Sequence, residues 1–168
     1  MIEDVTTNIR AHYSHEMHNA LTTLVASGLF GRETLSTAIG EISEILVAGA
    51  VGASRVARNN RGHDLILEGS KIEVKSRFIS RWGDSLQFNF GAHTADAHVV
   101  YCLAWHGDSG EELGVQHAFR LTVPFLIERW RPKTSQRGYC ARTDLGALKR
   151  VLAERSHLSA VLKIESPS

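Results

Sequence analysis

The run His98-Val-Val-Tyr-Cys-Leu-Ala-Trp105 constrains the fold of this chain more than any other stretch. It carries no Asp, Glu, Lys or Arg and is rich in β-branched and aromatic side chains. A strand wet on one side alternates polar with apolar residues, whereas an unbroken apolar run of this length needs cover on both faces. The expectation is a central strand with further layers above and below it.

The second informative stretch is GHDLILEGSKIEVKSR, Gly62 to Arg77. Two alternating runs, Asp64 to Glu68 and Ile72 to Arg77, flank Gly69-Ser70, which predicts a β-hairpin turning on those two residues. Glu68 then faces Lys71, Ile66 faces Glu73 and Asp64 faces Lys75. Side chains alternate along a strand, so Asp64, Glu73 and Lys75 share one face. Leu65, Leu67, Ile72 and Val74 share the other and are available for burial. Carboxylates brought together repel, and a shared divalent cation relieves the repulsion. The lysine then stands beside whatever that cation binds.

Around these two stretches the chain reads as helices and strands. Ile9, Tyr13, Leu21, Leu24 and Val25 predict a helix from Glu3 to Gly28. His12, His15 and His18 drift around that helix with no completing carboxylate, so they read as a solvated or interface face rather than a metal site. Gly31 to Val51 is a second helix with the apolar stripe Leu35, Ile39, Ile42 and Leu46. Glu41 falls at the margin of this stripe and Glu44 nearly opposite, which makes Glu41 the better candidate for a third acidic group. Val56 and Ala57 suggest a short edge strand. Arg55, Arg58, Asn59, Asn60 and Arg61 form a basic approach to Asp64 suited to phosphate contacts.

Farther on, Leu86, Phe88 and Phe90 alternate with Gln87 and Asn89, and Val115 to Leu121 reads as another strand. Pro124 opens a short helix, residues 131–142 read as a basic loop, and Asp144 is placed to cap a last helix, Leu145 to Arg155. A short run, Ser159 to Glu165, follows. Helices covering a small mixed sheet make this an α/β (α+β) chain, expected as a single domain over 1–168.

Net charge is +1, but it is unevenly spread. Residues 1–54 hold six Asp/Glu and two Lys/Arg, whereas residues 120–155 hold nine Lys/Arg and three Asp/Glu. The basic half is a candidate polyanion-facing surface. Cys102 and Cys140 are the two cysteines and form no Cys-x-x-Cys, which argues against a structural zinc or disulfide scaffold and for a reducing, cytoplasmic setting. The polar, acidic start MIEDVTTNIR does not read as a secretory signal. No stretch approaches the roughly eighteen apolar residues of a membrane span.

A helix glutamate, then an aspartate, then Glu-x-Lys on a hairpin resembles the PD-(D/E)XK nuclease superfamily, the group of restriction endonucleases and junction resolvases. The matching residues are Glu41 in GEISE, Asp64 in GHDLIL, and Glu73-Val74-Lys75 in IEVKSR. His63 stands where the family carries proline. The resemblance covers residues 31–105 as a nuclease core. It leaves 1–30 as an N-terminal helix and candidate dimer interface, and 106–168 as a basic C-terminal extension.

The resemblance implies a restriction-endonuclease-like αβββαβ core with a mixed sheet. It implies one or two Mg²⁺ ions, with Mn²⁺ as a substitute, held by Asp64, Glu73, the Val74 carbonyl and Glu41. Lys75 would then position or deprotonate the attacking water or stabilise the transition state. DNA contacts fall to Arg55, Arg58, Asn60, Arg61, Arg77, Arg81 and Gln87. The implied function is a Mg²⁺-dependent endodeoxyribonuclease acting as a homodimer, first of all a type II restriction or related defence enzyme. The alternatives are a junction-resolvase-like repair nuclease and a nucleic-acid-binding subunit that keeps the fold without cutting.

Overall fold

The computed structural model describes residues 1–29, 31–57, 63–79, 83–107, 113–132 and 138–164, with backbone alone at 32 and 158–164. Its elements are β1 (Ile2–Asp4), α1 (Thr6–Arg10), α2 (His15–Ala26), α3 (Arg32–Val51), β2 (Ser54–Arg55), β3 (Leu65–Leu67) and β4 (Ser70–Phe78), followed by β5 (Gln87–Gly91), β6 (Val99–His106), β7 (Gly114–Thr122), α4 (Val123–Trp130), β8 (Tyr139–Asp144) and α5 (Leu145–Ile164). Short 3-10 turns occupy Gly83–Ser85 and Ala92–Asp96.

Six strands form one mixed sheet in the order β1-β7-β6-β4-β3-β2, while β5 and β8 pair separately. Only β4 and β6 run parallel in the larger sheet. As its composition requires, β6 lies inside, with every residue but the last buried. Its alternate side chains feed two cores. Tyr101, Leu103 and Trp105 join Leu65, Ile72, Ile39 and Leu46 under α1–α3. Val100, Cys102 and Ala104 join Phe88, Phe90, Phe119 and Leu148 under α4, α5 and the small sheet. The chain is therefore a layered α/β domain, as expected.

The α3 helix is rotated from its apolar stripe. Ile39, Ser43, Leu46 and Val47 are buried, whereas Leu35 and Ile42 are only half-buried. Ser43 can sit in the core because its Oγ accepts the Trp105 Nε1–H at 2.9 Å. Gly40 faces β4, and a Cβ there would make ordinary van der Waals contact with the Ser76 Oγ at 3.9 Å. By length and composition, Glu33–Val51 is apolar enough to cross a membrane; here it packs as a core helix of the domain.

Other expectations need correction. The N-terminal helix is three elements. Ile2 to Asp4 forms an edge strand on β7 (Ile2↔Leu121), and a turn then divides α1 from α2. The edge strand after α3 is Ser54–Arg55, not Val56–Ala57. Tyr139 to Arg142, read as loop, lies in β8, where Thr143 faces Phe88. Asp144 does cap α5, its Oδ1 accepting from the Ala147 N–H at 2.7 Å. That helix continues past Arg155 and takes in the run that starts at Ser159. The connection from β4 to β6 carries β5 and 3-10 turns where the expected αβββαβ core has its second helix.

The hairpin turns on Glu68-Gly69 rather than Gly69-Ser70, with φ of 49° and 80°. Positive φ at both central residues is the type I′ arrangement, whose twist matches that of the flanking strands. The pairs are therefore Leu67↔Ser70, Ile66↔Lys71 and Leu65↔Ile72, replacing Glu68–Lys71, Ile66–Glu73 and Asp64–Lys75. Moving the turn centre by one residue moves every pairing by two. Each side chain consequently keeps its face.

A candidate active site where β3 leaves β4

The site begins where β3 stops. Ladder pairing between β3 and β4 ends at Leu65↔Ile72, although the Asp64 N–H still reaches the Ile72 carbonyl at 2.8 Å. One step farther, the Val74 N–H is bound by a side chain: Asp64 Oδ2 accepts it at 2.7 Å. In an extended strand the N–H and C=O of one residue face the same neighbour. The Val74 carbonyl therefore faces the same edge as the Asp64 carboxylate.

Glu73 and Lys75 project from β4 on the face that carries Asp64. In register with Val100 and Cys102 of β6, they stand over the core that those residues enter. The Lys75 ammonium sits 2.5 Å from Glu73 Oε1, with side-chain exposures of 29% and 9%. The other oxygen, Glu73 Oε2, is buried with no hydrogen-bond partner among the described residues. Leaving such an acceptor unmatched costs about 1–3 kcal/mol. The cluster thus presents an orphan oxygen, a second carboxylate and a carbonyl around one strand edge.

Electrostatics agree with this crowding. Burial pushes the Asp64 carboxyl above its ordinary range, the Val74 N–H pulls it back, and the charges of Glu44 and Glu73 push it up further against Lys75. On the neighbouring strand, in register with Lys75, the Cys102 thiol is raised by complete burial and then by the charge of Glu73.

Glu44 on α3 lies within electrostatic reach of Asp64, although its place nearly opposite the apolar stripe pointed it away. The rotation of α3 accounts for the difference: with Ser43 and Val47 at the core, Glu44 moves to the boundary. Its Oε2 accepts from Arg55 Nη2 at 2.8 Å, which ties α3 to β2 across the sheet edge. Glu41 is half-buried on the same helix.

The expected DNA-contacting residues divide as follows. Arg55 is engaged by Glu44. Arg77 is exposed and folds its Nη1 onto the Ser76 carbonyl at 2.9 Å. Gln87 is exposed on β5, where its Oε1 accepts from Arg142 Nη2 at 3.5 Å. Arg58, Asn60, Arg61 and Arg81 lie outside the described residues. Of the histidines, His12 packs against Gly49 and His18 Nδ1 lies 3.2 Å from the Leu113 carbonyl.

A neighbour that the sequence did not announce is β8. The Cys140 thiol is raised by burial and then by the charge of Glu73, so the start of this strand lies within electrostatic reach of the site. Cys140 and Arg142 sat inside a segment rich in loop-forming residues, and their pairing with β5 left no local signal.

Among the described residues, no group of three or more His, Cys, Asp or Glu side chains is gathered to hold a metal ion. A cation here would rely on Asp64, Glu73 and the Val74 carbonyl, with water completing its shell. An all-oxygen set with an orphan carboxylate oxygen fits a hard divalent ion such as Mg²⁺. No protein-family model matches the chain, and no curated protein matches it.

Proposed function

We propose that the chain is a Mg²⁺-dependent endodeoxyribonuclease, of the restriction or related defence type, with its site at Asp64, Glu73 and Lys75. The observation that carries this reading is the Glu73–Lys75–Asp64 cluster on the edge of β4 where pairing with β3 ends, with one buried carboxylate oxygen left without a partner among the described residues. Further support is the resemblance of Asp64 and Glu73-Val74-Lys75 to the PD-(D/E)XK nuclease motif.

When bound, the divalent ion supplies Lewis-acid polarisation of the phosphate and a more acidic water. The chain's own residues do the rest. Asp64 and Glu73 place negative oxygens on one face of the sheet, and the Val74 N–H fixes the orientation of Asp64. Lys75, held by Glu73 Oε1, directs an ammonium towards a water or phosphate oxygen on that face. Glu44 adds negative charge behind Asp64 and strengthens its demand for a cation. Cleavage of both strands by one site per chain favours a homodimer with one subunit per strand, and a cytoplasmic setting belongs to the same reading.

The test is nicking or linearisation of plasmid DNA by the purified chain with Mg²⁺ or Mn²⁺. Asp64→Ala and Lys75→Ala should each lower the rate by at least about a hundredfold while the protein stays folded. Absence of cleavage by the wild-type chain across duplex, single-stranded and RNA substrates would remove the proposal.

A further inference from the structure

Of the two candidate phosphate-contacting arginines among the described residues, Arg55 is held by the Glu44 carboxylate, whereas Arg77 bonds a backbone carbonyl. It lies two residues beyond Lys75 on the same face of β4, a separation of about 6.6 Å along the strand. Its guanidinium turns to the strand edge, where Nη1 donates to the Ser76 carbonyl at 2.9 Å. Alternation of backbone groups puts this carbonyl on the edge where the Val74 N–H meets Asp64. Arg77 is thus anchored on the site's own edge and exposed, and its strand position lies about one phosphate-to-phosphate step from that of Lys75. A guanidinium has five donors in a rigid fork, so anchoring one leaves a preoriented pair for a phosphate.

We infer that Arg77 grips the phosphate next to the scissile one on the cut strand and so sets the register in which that strand lies along β4. This rests on the proposed nuclease reading. It adds a requirement that the metal cluster alone does not impose: the substrate needs a charged phosphate beside the one that is cut. A strand end that supplies no such phosphate would be a poor substrate, which favours internal cleavage.

The test pairs Arg77→Gln with duplexes cut at a mapped position, each carrying one neutral methylphosphonate near the scissile phosphate. For the wild-type chain, neutralising one immediately flanking phosphate should lower kcat/KM about ten- to a hundredfold. Arg77→Gln should lose a similar factor on the unmodified duplex and lose nothing more on that modified one. Arg77→Lys should recover part of the loss as a point charge. Independent, multiplicative losses, or coupling only to a phosphate two or more steps away, overturn the assignment while leaving the nuclease reading intact. Failure of the wild-type chain to cut the unmodified duplex removes both. Thermal unfolding of Arg77→Gln separates lost contact from lost fold, and the phosphonate series on the wild-type chain needs no variant at all.

Discussion

The Asp64 carboxylate takes the backbone N–H of Val74 at 2.7 Å and thereby occupies a rung that β3 no longer supplies. This single bond holds a crowded carboxylate in place. It does not relieve the crowding, because burial, Glu44 and Glu73 together keep the Asp64 carboxyl above its ordinary range.

A raised carboxyl means that the folded chain holds the proton to higher pH than the unfolded chain does. The stability associated with Asp64 is therefore fully present below the unfolded value and is lost as pH rises through the folded one. Asp64→Asn keeps an acceptor for Val74 and removes the charge. Without divalent ions its melting temperature should exceed that of the wild type at neutral pH, and the gap should close in acid. Added Mg²⁺ should stabilise the wild type only. A gap that does not change with pH would count against crowding at Asp64.

Lys75 neutralises a carboxylate that is 9% exposed, so removing it alone strands a nearly buried charge. Lys75→Ala should cost about 1–3 kcal/mol, less than a fully buried pair because Lys75 reaches solvent. Glu73→Gln with Lys75→Ala should recover much of that loss. Denaturant unfolding of the two single variants and the double variant closes the cycle, and additive losses would show that the pair is not coupled.

Glu44 holds the Asp64 carboxyl up, so Glu44→Gln should lower it. A metal site needs Asp64 ionised, and the acid limb of the pH–rate profile should then move to lower pH. An unmoved limb would mean that another group controls it.

The hairpin turn supplies an independent check on register. Glu68 sits at φ 49°, a left-handed conformation that costs a side-chain-bearing residue about 1–2 kcal/mol, and asparagine tolerates it better. Glu68→Asn should raise stability by roughly 0.5 kcal/mol. A turn on Gly69-Ser70 would predict no gain, so equilibrium unfolding decides between the two.

Much of this architecture was legible in residue order. The covered strand from His98 to Trp105 forced layers on both sides, and Asp64, Glu73 and Lys75 shared a face under either placement of the turn, since side-chain parity survives a shift of two. What failed was decided by partners distant in sequence. Ile2 became a strand because β7 offered an edge. Ser43 entered the core because the Trp105 indole needed an acceptor, and that choice rotated α3 and brought Glu44 within electrostatic reach of Asp64. Tyr139 to Asp144 became a strand because β5 was there to pair with it.

The short length of β3 has a consequence of its own. Among the described residues, β4 past Ile72 meets two polar side chains on that flank, Asp64 on the Val74 amide and Arg77 on the Ser76 carbonyl. A bare strand flank is a template on which a second chain can add itself and begin to aggregate. A charged acceptor and a charged donor, each already bonded to the groups that an incoming strand would use, discourage that addition. The flank proposed to receive a phosphate is therefore guarded by the residues that would handle it, and variants emptied at both positions should be stickier as well as slower.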